Sequence, residues 1–137
     1  MTTPDILLAR WSDVSDRLHA VAREFPADKY DYQPTPEVRS FADQLRHVAF
    51  WSDHLAATMR GENPDGSANA LAADAYPSKE GIVRALKASD DRVRAQIAKD
   101  GQSSLDAVVS FIEHHGEHYG QLIMYYRLNG LVPPASR

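Results

Sequence analysis

The chemistry available to this sequence is concentrated in its histidines. There are six, His19, His47, His54, His114, His115 and His118, and three of them fall in the run from Phe111 to Gln121, Phe-Ile-Glu-His-His-Gly-Glu-His-Tyr-Gly-Gln. His114 and His118 are four residues apart. On a helix this turns the second side chain about 40° from the first and one turn along, so both imidazoles can reach one ion. The pair shares its helical face with Ala107, Phe111 and Tyr125, which directs it toward the interior or its edge. Two buried imidazoles need a metal, a carboxylate or a polar network beside them, because burial without a partner is costly.

A third histidine from a facing helix would complete a three-nitrogen site with open positions for water or substrate. His47, among Leu45, Val48 and Ala49, is one candidate, although a lone histidine in such company also serves as an ordinary core residue. His54, seven residues on, is its rival, and His115 is the rival on the other segment. His19 reads as a surface residue. The chain has no cysteine, which removes thiolate zinc sites, iron–sulfur clusters, disulfides and cysteine nucleophiles. Three neutral ligands would leave a divalent ion its full charge, enough to lower the pKa of coordinated water to roughly 7 and to deprotonate a coordinated thiol. That thiol would have to come from a cofactor. Gln121, one turn beyond His118, could orient a ligand, and Asp43, Glu113 and Glu117 could fix a histidine tautomer. Tyr119 could line a pocket with Tyr30, Tyr32, Trp51 and Tyr125. Each of these also reads as a packing or solvated residue.

Helices must position these groups. Ile6, Leu7, Trp11, Val14, Leu18, Val21 and Ala22 recur at helical spacing, predicting a first helix over about 4–24, capped by Thr3 with Pro4 in its first turn. Phe25-Pro26 ends it, and the stretch to Arg39 reads as an ordered loop. Ser40 with Asp43 resembles a capping box and opens a second helix over about 40–60. The segment from Glu62 to Pro77 is rich in Gly, Pro, Asn and Asp and reads as the longest loop. Ser78 caps a third helix, over about 78–99, and Ser103 or Ser104 opens a fourth, over about 104–129. Gly130 and Pro133-Pro134 stop that last helix. Gly116 and Gly120 lie in its middle, at a cost in propensity of roughly 1 kcal/mol each, and would leave room for a neighbouring helix, a ligand or an ion. No segment reads as a strand, so the expected fold is an all-α four-helix bundle.

Four features together resemble the DinB-like superfamily of small four-helix metalloproteins. They are Ser40-Phe-Ala-Asp-Gln-Leu-Arg-His47, then His114-x-x-x-His118 followed by Tyr119-Gly120-Gln121. The others are the continuation from Leu122 through Arg127 and Gly130 to Pro134, and the loop Tyr30-Asp-Tyr-Gln-Pro34. The resemblance spans nearly the whole chain and implies an up-down-down-up bundle. It also implies a divalent metal, often nickel or zinc, on His47, His114 and His118; His115 falls where the family does not require histidine. Some relatives are transferases or isomerases that use a low-molecular-weight thiol (bacillithiol, mycothiol or glutathione), and dimers are common. The family name implies no DNA-binding activity.

Composition bounds the partners. The 137 residues are 43% hydrophobic and 25% charged, the balance of one soluble domain spanning 1–137. Lys and Arg number 15 against 19 Asp and Glu, for a net charge of −4. This argues against nucleic acid and anionic membranes as partners. No apolar run approaches the ~18 residues of a membrane span. The N-terminus lacks a signal-peptide pattern, and a cytoplasmic protein is expected. Three functions stand open: a metal-dependent transferase or hydrolase acting on a small molecule, a non-catalytic metal-binding or stress-response protein, and a dimerisation module. A homodimer is expected, with the first and fourth helices as the guessed contact because Trp11 and Tyr126 fall off their core stripes.

Overall fold

A computed structural model describes residues 1–137. Four long helices carry the fold: α1 (Thr3–Glu24), α2 (Phe41–Met59), α3 (Lys79–Asp100) and α4 (Leu105–Leu128). No strand is present. The starts follow the capping chemistry of the sequence. Ser40 Oγ accepts from the Asp43 amide and Ser78 Oγ from the Gly81 amide. At α1 the cap is Thr2 rather than Thr3, with a reciprocal box to Asp5; the aspartate three residues downstream of Thr2 decides this. Asp43 makes no such return bond and pairs instead with Arg46 at 2.7 Å. Gly130, at φ +70, ends α4 in the left-handed conformation that a side chain disfavours.

The buried residues show how the helices run. The larger apolar cluster takes Val14, Leu18 and Val21 from α1, Phe41, Leu45 and Val48 from α2, Ile82 and Leu86 from α3, and Leu122 and Tyr126 from α4. The smaller takes Leu7 and Trp11, Leu55 and Ala56, Val93 and Ile97, and Val108 from the same helices in the same order. So α1 and α4 run from the small cluster to the large one, and α2 and α3 run the opposite way. The bundle is therefore up-down-down-up. Phe25 stacks on Phe41 with ring centroids 3.9 Å apart, sealing the larger end. Burying each such side chain contributes on the order of 1.5–3 kcal/mol.

Two expectations about the apolar faces are corrected. Ile6 is exposed rather than inward, and Trp11 and Tyr126 are fully buried rather than off their stripes. Tyr126 reaches the core because its hydroxyl finds an acceptor there, donating to the Val21 carbonyl at 2.7 Å.

Between the two clusters the core turns polar. Ser52 on α2, Ser89 and Asp90 on α3, and His115 on α4 are buried there, with Ser15 and His19 from α1. His19, expected on the surface, is 4% exposed, with its Nε2 2.5 Å from Asp90 Oδ2. A carboxylate partner from a helix 71 residues away is what makes that burial tolerable, and sequence spacing holds no sign of it.

Because α2 and α3 point the same way, residues 60–78 must return along the bundle, roughly the 28 Å length of a 19-residue helix. The segment is pinned to α2 on its way. The Leu71 amide donates to the Arg46 carbonyl, and Arg46 Nε donates to the Tyr76 carbonyl. Gly66 passes so close to Trp51 that a Cβ would lie 2.8 Å from the indole ring.

Candidate metal centre

α2 and α4 bring His47, His114 and His118 together at the polar level of the bundle. One nitrogen from each lies within 4.8 Å of the others, and no carboxylate joins the set. His47 Nε2 and His114 Nε2 are 3.0 Å apart. Two lone pairs do not sit at that distance without a proton or a cation between them. Tetrahedral ligands at zinc–nitrogen distances of about 2.0–2.1 Å are separated by roughly 3.3 Å, so small shifts of the rings would accommodate an ion.

The outer nitrogens of two rings are already engaged. His47 Nδ1 donates to the Asn69 carbonyl at 2.7 Å, and His118 Nδ1 donates to Gln44 Oε1 at 2.7 Å. Those acceptors select the tautomer that leaves each Nε2 lone pair facing inward. Gln44 is itself oriented: its Nε2 donates to the Tyr125 hydroxyl at 3.2 Å, and that hydroxyl donates to the Arg39 carbonyl at 2.6 Å. Asn69 stands on the returning segment with φ +61, a backbone conformation uncommon outside glycine. Its side-chain oxygen accepts from Trp51 Nε1 at 2.8 Å, which ties the strained residue to the same helix as His47.

All three rings are held neutral. Burial pushes His118 down to about 3 and His114 to about 4, with repulsion from the neighbouring imidazoles and from Arg39 adding to it. His47 is lowered by burial, against the opposing effect of its bond to Asn69. Neutral imidazole is the form a metal needs.

The rival histidines lie elsewhere. His115 is fully buried behind the cluster, its Nδ1 3.4 Å from His114 Nδ1, with Nε2 2.8 Å from Ser52 Oγ and its ring against Trp11. His54 packs against Trp51 at a tilt, with centroids 4.7 Å apart, and is outside the cluster. Of Gln121, Asp43, Glu113, Glu117 and Tyr119, only Gln121 shares a cavity with the Gln44 that holds His118, together with Tyr125. Asp43 is taken by Arg46, while Glu113 and Glu117 are exposed and bond to none of the rings. Tyr119 faces α1, beneath the Arg17 guanidinium. Gly116 and Gly120 border open space rather than the site. Gln44 and Asn69 were not singled out by sequence. Gln44 lies one turn before His47, and that spacing was the available signal. Asn69 carried none, since its carbonyl comes from a loop.

A cleft of about 470 Å³ opens on the three rings, walled by Trp51, Asn69, Ser110 and Phe111. A match to the DinB superfamily covers residues 10–122. The chain belongs to the DinB superfamily. The matched region holds His47, His114 and His118 together with Gln44, Asn69 and Gln121, so the whole candidate centre lies inside the DinB match. No curated protein matches the sequence.

Proposed function

We propose that this DinB-superfamily protein is a divalent-metal-dependent enzyme, a transferase using a low-molecular-weight thiol or a hydrolase, acting on a small molecule. The observation that carries this reading is the set of three neutral histidines, two of them pre-oriented, opening on a cleft with no fourth protein ligand. An ion held by His47, His114 and His118, zinc or nickel by its nitrogen ligands, would supply a Lewis acid whose full charge the neutral ligands leave intact. Asn69 and Gln44 hold two of the rings in place. Trp51 and Phe111 give the cleft apolar walls that limit water, and Ser110 offers it a hydroxyl. A purely structural or storage site would favour a closed shell of four protein ligands, and this cluster has three.

Metal analysis of the purified protein tests the reading first. About one equivalent of zinc or nickel per chain is expected, lost in His118→Ala with helix content retained. The loaded protein is then screened for thiol transfer and for hydrolysis. Failure of the wild type to retain any divalent metal would overturn the proposal.

We further propose a cytoplasmic homodimer with no nucleic-acid or membrane partner. No helix is long and apolar enough to cross a membrane. Since Trp11 and Tyr126 are fully buried, they offer nothing to a second copy. The exposed row Gly116, Gly120, Met124 and Leu128 on α4 does, because its glycines let a second helix approach closely.

A further inference from the structure

Two of the clustered histidines have an aromatic neighbour one helical turn away. Trp51 lies four residues after His47 on α2, and Phe111 lies three residues before His114 on α4. Either spacing puts both members of a pair on one helical face. Because α2 and α4 run in opposite directions, the two aromatic side chains leave the histidines toward the same end of the bundle and meet there. Ring centroids are 6.4 Å apart for His47 and Trp51, 6.1 Å for Trp51 and Phe111, 6.0 Å for Phe111 and His114, and 5.0 Å for His114 and His47. Four rings thus border one another in a closed circuit, with nitrogen donors along one edge and an apolar face along the other.

Trp51 and Phe111 are both half-buried and line the cleft of about 470 Å³ that opens on the histidines. Trp51 is fixed in place, since its Nε1 donates to Asn69 and Gly66 lies against its six-membered ring. The two aromatics are in contact with each other rather than spaced to admit a third ring between them. They therefore offer one surface for a flat group to lie on. The lining of this cleft holds no acidic or basic side chain. The cavity beside His54, in contrast, is lined by Asp53, Arg60, Asp65 and Arg92. A charge held against Trp51 and Phe111 would lose hydration and find no counter-charge there.

We propose that the cleft takes a small molecule with one anionic donor atom for the ion and, beside it, an uncharged aromatic body that lies on Trp51 and Phe111. This rests on the metal-dependent reading above. It narrows the molecule taken from any small ligand to an apolar aryl compound, and it sets a zwitterionic thiol such as glutathione against the site.

The test uses the full chain loaded with cobalt(II), whose visible absorption reports ligand exchange at the ion. The wild type is first titrated with cobalt alone, then with phenylmethanethiol, ethanethiol, 4-(mercaptomethyl)benzoate and glutathione. Phenylmethanethiol is expected to bind at least about tenfold more tightly than ethanethiol and more tightly than either charged thiol. Phe111→Ala should lose most of that advantage while keeping its affinity for cobalt and for ethanethiol, and Phe111→Tyr should keep it. The protein has two tryptophans, and Trp11 is fully buried. A change in tryptophan emission when phenylmethanethiol is added to zinc-loaded wild type therefore reports contact at Trp51, independently of any variant. Unchanged emission, a charged thiol that binds as tightly as phenylmethanethiol, or an advantage that survives in Phe111→Ala overturns the proposal. If cobalt itself does not bind, the metal reading falls and this one with it, and the first titration shows which has failed.

Discussion

Replacing Gln44 by leucine should weaken metal binding without touching any ligand. Gln44 is 3% exposed, and its carbonyl oxygen is the acceptor 2.7 Å from His118 Nδ1. Leucine keeps most of the volume and removes the acceptor. The Nδ1–H, on a ring only 6% exposed, then has no partner. An unmade buried hydrogen bond costs about 1–3 kcal/mol. Loss of a partner to a ligating histidine typically weakens metal binding by roughly 10–100-fold, which is about 1.4–2.8 kcal/mol. The two ranges overlap near 2 kcal/mol, so a loss of roughly thirtyfold in zinc affinity is expected. Gln44→Glu retains an acceptor and should stay within a few-fold of the wild type. Competition against a chromophoric zinc chelator at pH 7.5 measures the affinity, and far-UV circular dichroism confirms that helix content is intact. A folded Gln44→Leu protein that binds zinc within twofold of the wild type would refute the idea that this bond orients His118.

Four further outcomes are expected. Protons and metal compete for the same Nε2 atoms, and the rings of His114 and His118 are lowered to about 4 and about 3. Metal should therefore be retained down to about pH 5 in equilibrium dialysis, and half-loss above pH 6, where ordinary imidazole at about 6.5 titrates, would contradict this. Asn69→Gly keeps the carbonyl that holds His47 and suits φ +61, so zinc affinity should be nearly unchanged. Asn69→Ala should lower stability by about 1–2 kcal/mol in urea denaturation; equal stability of the two variants would deny the strain. Asp90→Ala leaves buried His19 without its carboxylate and should lower stability by roughly 3 kcal/mol, with zinc affinity unchanged because neither residue belongs to the cluster. Light scattering should give twice the 15.3 kDa chain mass, and Met124→Glu should return the monomer; a wild-type monomer at micromolar concentrations would reject the interface.

The sequence alone determined the helices, because their signals are local. Apolar residues at spacings of three and four, serines at Ser40 and Ser78, and Gly130 each act within a turn or two of chain. It likewise placed His114 and His118 on one face, since a four-residue spacing on a helix settles that geometry without any tertiary contact. Three matters depended on which segments meet. His47 joined the cluster and His54 did not because α2 faces α4 at one level of the bundle, where His54 turns toward Trp51 and the returning segment. His19 went inside because Asp90 was opposite it, and an imidazole can be buried wherever a distant helix supplies its partner. The groups that orient the three clustered histidines were the least legible. The nearby carboxylates Asp43, Glu113 and Glu117 were the chemically natural candidates, but Asp43 found Arg46 and the other two face solvent. An amide from α2 and a loop carbonyl at Asn69 took those places. A backbone carbonyl is present at every residue, so nothing in the identity of Asn69 marks it as an acceptor. Only the path of residues 60–78 back along α2, forced by two helices running in the same direction, brings it to His47.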